Sequence, residues 1–515
     1  MFLNKINNIY LAKLKGKIFI PTFILIAFIY ISSALLINTH PIGESDDYML
    51  PTISISYHLT DDITDDDLKK AHRYYPEHSW YWDAWQNGKF SINHPSGKRY
   101  TFYFPTYSVA IIPFVIALKL LHLKCSYAFP LGNAIYFLIA LFFLVKIPLN
   151  NIIKWSLFTI LAFGPTMFYI TWPSAEVLIT SLCIYSLVAL FCHKFKTSLF
   201  FMSLATTLNI TLTPICLFIW FKYAIHKEPY FYKIDKIKNV ITQNIREITQ
   251  LTLIQLITFV PIALNLFRWN RMVVMQGMGT TEGLFGRLIA YLTDLNFGIF
   301  PYFPFLLFIV IGVIIFSEKR KEYFVFLLCS FITLIGISLM AHINCGMTGI
   351  ARYNLWFSSI LLVVSCYYST FCNKKTLKIT QGLTLLSAAY ISIFVWACHG
   401  IIADRGTAYT WMNPIAKRIL YYIPQLYNPL YSTFNNRTIH VDGGYNYQTP
   451  VIYVSDKDHY VKKILASKKD KEILKEQLIP LSKKDLEKII SELENLSDTD
   501  SYLNFDKRFS IKLAN

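Results

Sequence analysis

Charge is scarce in this chain. Only 16% of its 515 residues are Asp, Glu, Lys or Arg, against roughly a quarter in an ordinary soluble protein, which excludes a plain cytosolic enzyme. Internal repeats and long low-complexity segments are missing. So is any metal-ligand spacing among His40, His58, His72, His78 and His94, which read as interfacial surface histidines. Cysteine is thin, with nine in all, and Cys183, Cys192, Cys216, Cys329, Cys366 and Cys398 lie in or beside apolar runs. They read as small hydrophobes and not as a disulfide framework. What the chain does carry is apolar mass: 54% hydrophobic residues with 40 Phe and 34 Tyr, and a mean hydropathy of +0.39. Such side chains need an apolar surrounding, which excludes a disordered or fibrous protein. A polytopic membrane protein remains.

The net charge of +17 would suit nucleic acid, but its distribution argues for the cytoplasmic side of a membrane and no nucleic-acid partner. Residues 1–17 hold Lys5, Lys13, Lys15 and Lys17 and no acid. The apolar run 18–37 then matches one bilayer crossing of about 20 residues, and is longer than a signal-peptide core. A signal-anchor with a cytoplasmic N-terminus is expected. Residues 38–103 are polar and acidic and belong outside. The stretch Val109–Leu118, with Pro105 before it and Pro113 inside, is too short to cross and suggests a re-entrant helix. Further apolar runs lie near 128–147, 155–172, 176–193, 197–221, 250–267, 298–316, 323–341, 353–371 and 379–399.

Suppose 104–121 does not cross and 197–221 is two short helices turning near Asn209 to Pro214. Segments 1–17, 146–154, 193–197, 222–249, 317–322 and 372–379 then hold 20 lysines and arginines against 5 acids, while the opposite side before residue 400 holds 12 against 13. The positive-inside rule favours that arrangement: an all-α polytopic membrane protein of about eleven spans, with an external C-terminus. Residues 1–400 form the membrane module, with 38–127 as a large external first loop. Residues 401–515 read as a small external α+β domain. In it, β-like pieces Thr438–Val441 and Pro450–Val454 flank Gly443-Gly444, and two amphipathic helices follow. The second opens at Ser482 with a capping-box pattern and carries Leu486, Ile489, Ile490, Leu493 and Leu496 on one stripe.

Several residues invite chemistry. Glu44, Asp46 and Asp47 stand where the first span leaves the bilayer; a solvated collar is the plain reading, since charge is cheap there. Asp61, Asp62, Asp65, Asp66 and Asp67 read as a solvated helix start. Tyr74, Tyr75, Trp80, Tyr81, Trp82 and Trp85 read as an interfacial aromatic belt. Arg268, Arg271 and Arg352 fall at external span ends, where snorkelling is their plain role. Glu176 opens an apolar span, where an acid suits the helix dipole and where acids at membrane depth are often functional.

A first span with an acidic group just outside it, and a long loop ending in an aromatic, proline-bearing helix, resembles the GT-C class of integral membrane glycosyltransferases. Protein O-mannosyltransferases and the aminoarabinose transferase of lipid A belong to that class. Gly97-Lys98-Arg99-Tyr100-Thr101-Phe102-Tyr103 before Pro105 resembles the end of the first loop in bacterial members. Trp172-Pro173-Ser174-Ala175-Glu176 resembles the second external loop, and Asn265 to Arg271 the exit of a middle span. Leu295 to Pro304 resembles the entry into the next span, and Gly346 to Tyr353 a late loop with an Arg-Tyr pair. The match extends over about residues 18–400. Many relatives have Asp-Glu where this chain reads Glu44-Ser45-Asp46-Asp47, so the identity of the base stays open among these carboxylates.

The resemblance implies an inverting glycosyltransferase on the outer face of a bacterial cytoplasmic membrane. It would move a sugar from a polyprenyl-phosphate donor to a hydroxyl of a lipid-linked glycan, lipid A, a polysaccharide or a protein. Inversion requires one general base, unlike the two-carboxylate retaining hydrolases. Asp46 is the first choice, then Asp47, then Glu44, with Tyr48 orienting. The leaving phosphate would be met by Arg268, Arg271 or Arg352, with Lys98 and Arg99 as further donors. Tyr100 lies in the matching segment, and the resemblance makes Glu176 a second active-site acid. Glu44-Ser45-Asp46 has the donor atoms for a divalent cation such as Mg or Mn, but no metal or other cofactor is assigned. Two rivals stand beside this reading. A lipid-linked glycan transporter or flippase would place charge at midplane in broken helices, whereas here the spans are almost uncharged. A polysaccharide polymerase or ligase would use arginines and a histidine without an acidic base.

Overall fold

In the computed structural model, the described residues are 2–36, 45–76, 79–88, 92–94, 96–228, 240–269, 283–340, 343, 349–399, 411–441, 448–478, 483–495, 498–505 and 511–512. The chain is mostly helical, at 74%, with a small antiparallel sheet. Among the described residues six helical stretches are long and apolar enough to cross a membrane: Phe19–Leu36, Cys125–Leu144, Asn151–Tyr169, Ile245–Trp269, Arg320–Ser338 and Lys374–Phe394. Helices form here because a backbone among apolar side chains must satisfy its own polar groups. Many of the side chains facing away from the bundle are apolar: Ile24, Phe28, Phe267, Phe308, Phe324 and Ile393 are each more than half exposed. A surface of that kind suits lipid and not water.

The centre of the bundle is a pair of helices, Glu176–Phe191 and Arg352–Ser369. The first buries every residue but Tyr185 and the second every residue but Leu361. They run parallel. Glu176 meets Arg352 at one end, and at the other Phe191 stacks on Tyr367 with ring centroids 3.7 Å apart. A helix of 16 residues is about 24 Å long, so the two ends of this pair define two faces of the molecule.

Five of the six lysine-rich segments, 146–154, 193–197, 222–249, 317–322 and 372–379, meet at the Phe191 end. The Cys192 thiol approaches the Lys146 carbonyl, His193 stacks on His226, Lys222 pairs with Glu322, and Ser317 bridges Cys372. The run 197–221 divides as expected, into Phe195–Leu208 and Thr213–Lys227 around a turn at 209–212. Asn209 makes that turn by accepting from the Thr211 N–H, at 3.1 Å. Helix Thr106–Leu120, with Pro113 inside, is about 22 Å long, short of a crossing of about 30 Å. It packs on helices Ser45–His58 and Ala128–Leu144.

The first loop departs from expectation in two places. Trp82 and Trp85 are fully buried and Tyr75 nearly so, so these three are the core of the loop and not an interfacial belt; the Trp82 indole donates to the Tyr75 carbonyl at 3.1 Å. The second acidic cluster is only in part a solvated helix start. Thr64 caps helix Asp65–Tyr74 with Asp67 in a capping box, yet Asp67 is buried, with His58 3.0 Å away, and Asp61 lies outside the helix altogether.

Beyond residue 411, strands β1 (Val451–Val454), β2 (Tyr460–Ala466) and β3 (Ser501–Asn504) form an antiparallel sheet in that order, and Ile511–Lys512 also pairs with β2. Leu474, Leu478, Ile489 and Leu493 from helices Lys471–Gln477 and Lys483–Glu494 cover one face. Leu420 and Phe434 pack with Leu465 on the other. Pro450–Val454 is largely strand as read, but Thr438 ends a helix, Tyr431–Ile439, and His440 terminates it in the left-handed region. Gly443-Gly444, Ser482 and Leu496 lie outside the described residues.

Candidate active site

Five separate stretches of chain converge at the Glu176 end of the bundle. Helix Ser45–His58 places Asp47 in its first turn. Asp47 is 8% exposed, and its Oδ1 accepts from the Phe102 N–H at 3.4 Å. It therefore faces the protein and not bulk water. Tyr48 sits between Tyr103 and Tyr107, both with ring centroids at 5.1 Å, and its carbonyl accepts from the Ser108 hydroxyl at 2.9 Å. The Tyr107 hydroxyl donates to Asn133 Oδ1 at 3.0 Å. Asn133 Nδ2 in turn holds the Trp172 carbonyl at 2.9 Å, which fixes the loop leading to Glu176. An unbroken chain of contacts thus joins Asp47 to the second acid.

Glu176 and Arg352 are both buried, with Nε and Oε1 3.8 Å apart. Ser174 Oγ donates to Glu176 Oε2 at 3.2 Å. Neither helix N-terminus has a side-chain cap, so the acid satisfies the positive dipole end of its own helix. The arginine sits where its helix dipole repels it. Glu176 and the Tyr353 ring, 4.5 Å from the guanidinium, offset that repulsion. The preceding turn is pinned by Tyr169, which donates to the Ile350 carbonyl at 2.7 Å, and by the Ala351 N–H on the Phe297 carbonyl at 3.1 Å. Gly349 has φ +97° and lies against the Tyr302 hydroxyl, a position that a side chain would strain.

On the other side of the 101–105 segment lies a small cleft lined by Asp61, Tyr100, Phe102, Pro105, Asn265, Arg268 and Trp269. Arg268 donates two hydrogen bonds to Asp61, at 2.7 and 2.9 Å, and lies over the Tyr100 ring at 4.7 Å. Trp269 packs edge-on against Tyr100 and His94. Phe102 therefore has the Asp47 carboxylate on its amide and this arginine-bearing cleft at its flank.

Other sequence-predicted positions fall elsewhere. Lys98 and Arg99 flank and begin the second strand of a short hairpin, Ile92–Asn93 with Arg99–Tyr100, and are held by acids of the same loop: Lys98 by Asp62 at 3.4 Å and Arg99 by Asp65 at 2.6 Å. Glu44 and Arg271 lie outside the described residues, as does the Asp46 side chain, although Asp46 is in the same first turn as Asp47. Among the described residues no three His, Cys, Asp or Glu side chains group as metal ligands; the Glu44-Ser45-Asp46 group falls mostly outside them. Sequence reading missed Asp61 as the partner of Arg268, and Asn133 as the link between the two acids. Asn133 did leave a signal: an amide within the otherwise apolar helix Ala128–Leu144 must find partners.

The Glu176 end is also where the C-terminal domain attaches. Asp294 accepts from the Tyr427 hydroxyl at 3.0 Å and from the Asn296 N–H at 2.8 Å. Asn296 bonds Tyr427 and the Asn413 N–H, and Phe297 then contacts the turn before Arg352. Burial pushes the Asp294 carboxyl up, and the Arg437 charge opposes this. No protein-family model, curated protein or solved structure matches the chain.

Proposed function

We propose that this chain is an inverting glycosyltransferase of GT-C type. It would act at the outer face of a bacterial cytoplasmic membrane and transfer a sugar from a polyprenyl-phosphate carrier to an acceptor hydroxyl. Glu176–Phe191, Phe195–Leu208, Thr213–Lys227, Leu306–Phe316 and Arg352–Ser369 count as crossings beside the six long apolar helices, eleven in all, and the similarly short Thr106–Leu120 is left out on the positive-inside count and not on its length. The lysine-rich end is cytoplasmic in this reading, and the acids and arginines of the opposite end face outward with the C-terminal domain.

The observation that carries the proposal is the position of Asp47: a buried carboxylate on the amide of Phe102, in a segment that also lines the Arg268 cleft. A carboxylate there can take the proton of an attacking alcohol, and Arg268, in the cleft lined by the same segment and bonded to Asp61, would turn its remaining N–H donors to the departing phosphate. Asp46, one residue earlier in the same helical turn, remains the alternative base. Glu176–Arg352 would complete the site as its electrostatic floor. The acceptor is a hydroxyl of a lipid-linked glycan, lipid A, a polysaccharide or a protein.

The test is sugar transfer from a polyprenyl-phosphate donor by Asp46→Asn, Asp47→Asn and Glu44→Gln, each assayed in membranes beside its expression level. Loss of a general base lowers the rate by about 100- to 10,000-fold. Full activity in all three variants would refute the assignment. Mass-spectrometric identification of the lipid-phosphate sugar that co-purifies with the chain would name the donor.

A further inference from the structure

The Phe191 end of the bundle, about 24 Å along the same helix from Glu176, holds a second cavity. Its volume is 340 Å³, and Lys194, Lys196, Lys227, His193, His226 and Glu247 are among its walls. A water occupies about 30 Å³ of liquid, so there is room for a phosphate and the group that carries it. Three lysines face one glutamate, which is occupied: Glu247 accepts from Tyr223 at 2.9 Å and pairs with Lys227 at 2.8 Å. His193 and His226 are stacked with centroids 4.9 Å apart, and Phe195 packs against both.

The backbone contributes to the arrangement. The His193 N–H bonds the Leu190 carbonyl and the Lys194 N–H bonds the Ala189 carbonyl, the paired bonds that close a helix through a left-handed residue. That residue is normally glycine, but here it is a histidine at φ +58°. Strained side chains held at a cavity invite a functional reading. Burial pulls the His193 imidazole down, and the charges of His226, Lys222 and Lys319 act in the same direction. Helix Phe195–Leu208 begins between the two lysines with no side-chain cap and no acid in its first turn.

We propose that this cavity is an anion site that takes a phosphate group, either the headgroup of an acidic phospholipid or a soluble phosphate. Lys194 and Lys196 supply charge, and His193 and His226 supply ring N–H donors. Basic pockets between helix ends at a membrane surface suit phosphorylated headgroups. Leu251 gives the cavity an apolar wall beside these charges.

The experiment titrates full-length protein in neutral detergent with dioctanoyl phosphatidic acid, dioctanoyl phosphatidylcholine and inorganic phosphate, read by native mass spectrometry. Phosphatidic acid should be retained over phosphatidylcholine, and Lys194→Ala/Lys196→Ala should weaken it about tenfold or more. His193→Gly should also weaken it while folding normally, because its backbone already suits glycine. Glu247→Gln, which removes the opposing charge, should tighten it, an outcome that misfolding does not produce. If inorganic phosphate alone binds and responds to the same variants, the source is soluble phosphate. Equal retention of the two lipids with no phosphate binding, or unchanged affinity in all the variants, would overturn the proposal.

Discussion

Replacing Glu176 by Gln removes the acid that faces Arg352 at the head of the central helix pair. At 3.8 Å, two unit charges attract by about 4 kcal/mol if the effective dielectric is about 20. Both side chains are less than a tenth exposed, and stripping one partner from a buried pair typically costs about 3–5 kcal/mol. The remaining arginine would also face the positive end of its own helix, so a cost within that range is expected. Arg352→Met alone leaves the acid with its Ser174 hydrogen bond and still favoured by its helix dipole, and should cost less. The double variant Glu176→Gln/Arg352→Met removes both charges and should recover at least about 2 kcal/mol relative to the sum of the singles. Reversible unfolding in mixed micelles measures all four corners of this cycle. The reasoning fails if each single variant costs under about 1 kcal/mol and the two add. The assay of the proposed sugar transfer separates stability from function: a double variant that is stable but inactive places the pair in the proposed reaction, and one that is stable and active makes it scaffold alone.

The C-terminal sheet offers a pH test and the first loop a packing test. Lys463 is fully buried in strand Tyr460–Ala466, bonded to the Pro424 carbonyl at 2.8 Å and to Asn428 at 2.7 Å, and burial pulls its pKa down to about 7. The unfolded chain then binds one more proton between about pH 7 and the usual lysine value of about 10.4. Stability of the domain should rise with pH across that window and stay flat below it; thermal melts of full-length Lys463→Met should lose this slope, and an unchanged slope would assign it elsewhere. Trp82→Ala should destabilise the loop by about 3–5 kcal/mol, measured by protease resistance of residues 45–105. A loss under about 1 kcal/mol would return Trp82 to an interfacial role.

Much of the frame was legible because the bilayer constrains a chain so strongly. Lys146, Lys194, Lys222 and Lys319 were grouped by counting loop charges, and the folded chain brings their segments together at one end. The break at Asn209 was legible too, since a polar, proline-bearing interruption cannot sit inside an apolar crossing. Trp82 and Trp85 were misplaced because composition cannot tell an aromatic that faces a bilayer surface from one that fills a loop core. Thr438 was misread as strand because β-branched residues at a helix end carry the same local preference.

Residue type and order were enough to specify apolar helices, a lysine-rich end and an acidic first loop. Burial in lipid and the positive-inside bias act on local runs of sequence, so each run can be judged alone. Which acid meets which base is another matter. Asp61 with Arg268, Glu176 with Arg352, and Asp47 with the Phe102 amide join residues 55 to 207 positions apart. Those pairings depend on how the helices pack, because a charge buried among apolar side chains takes whatever partner the packing brings within reach.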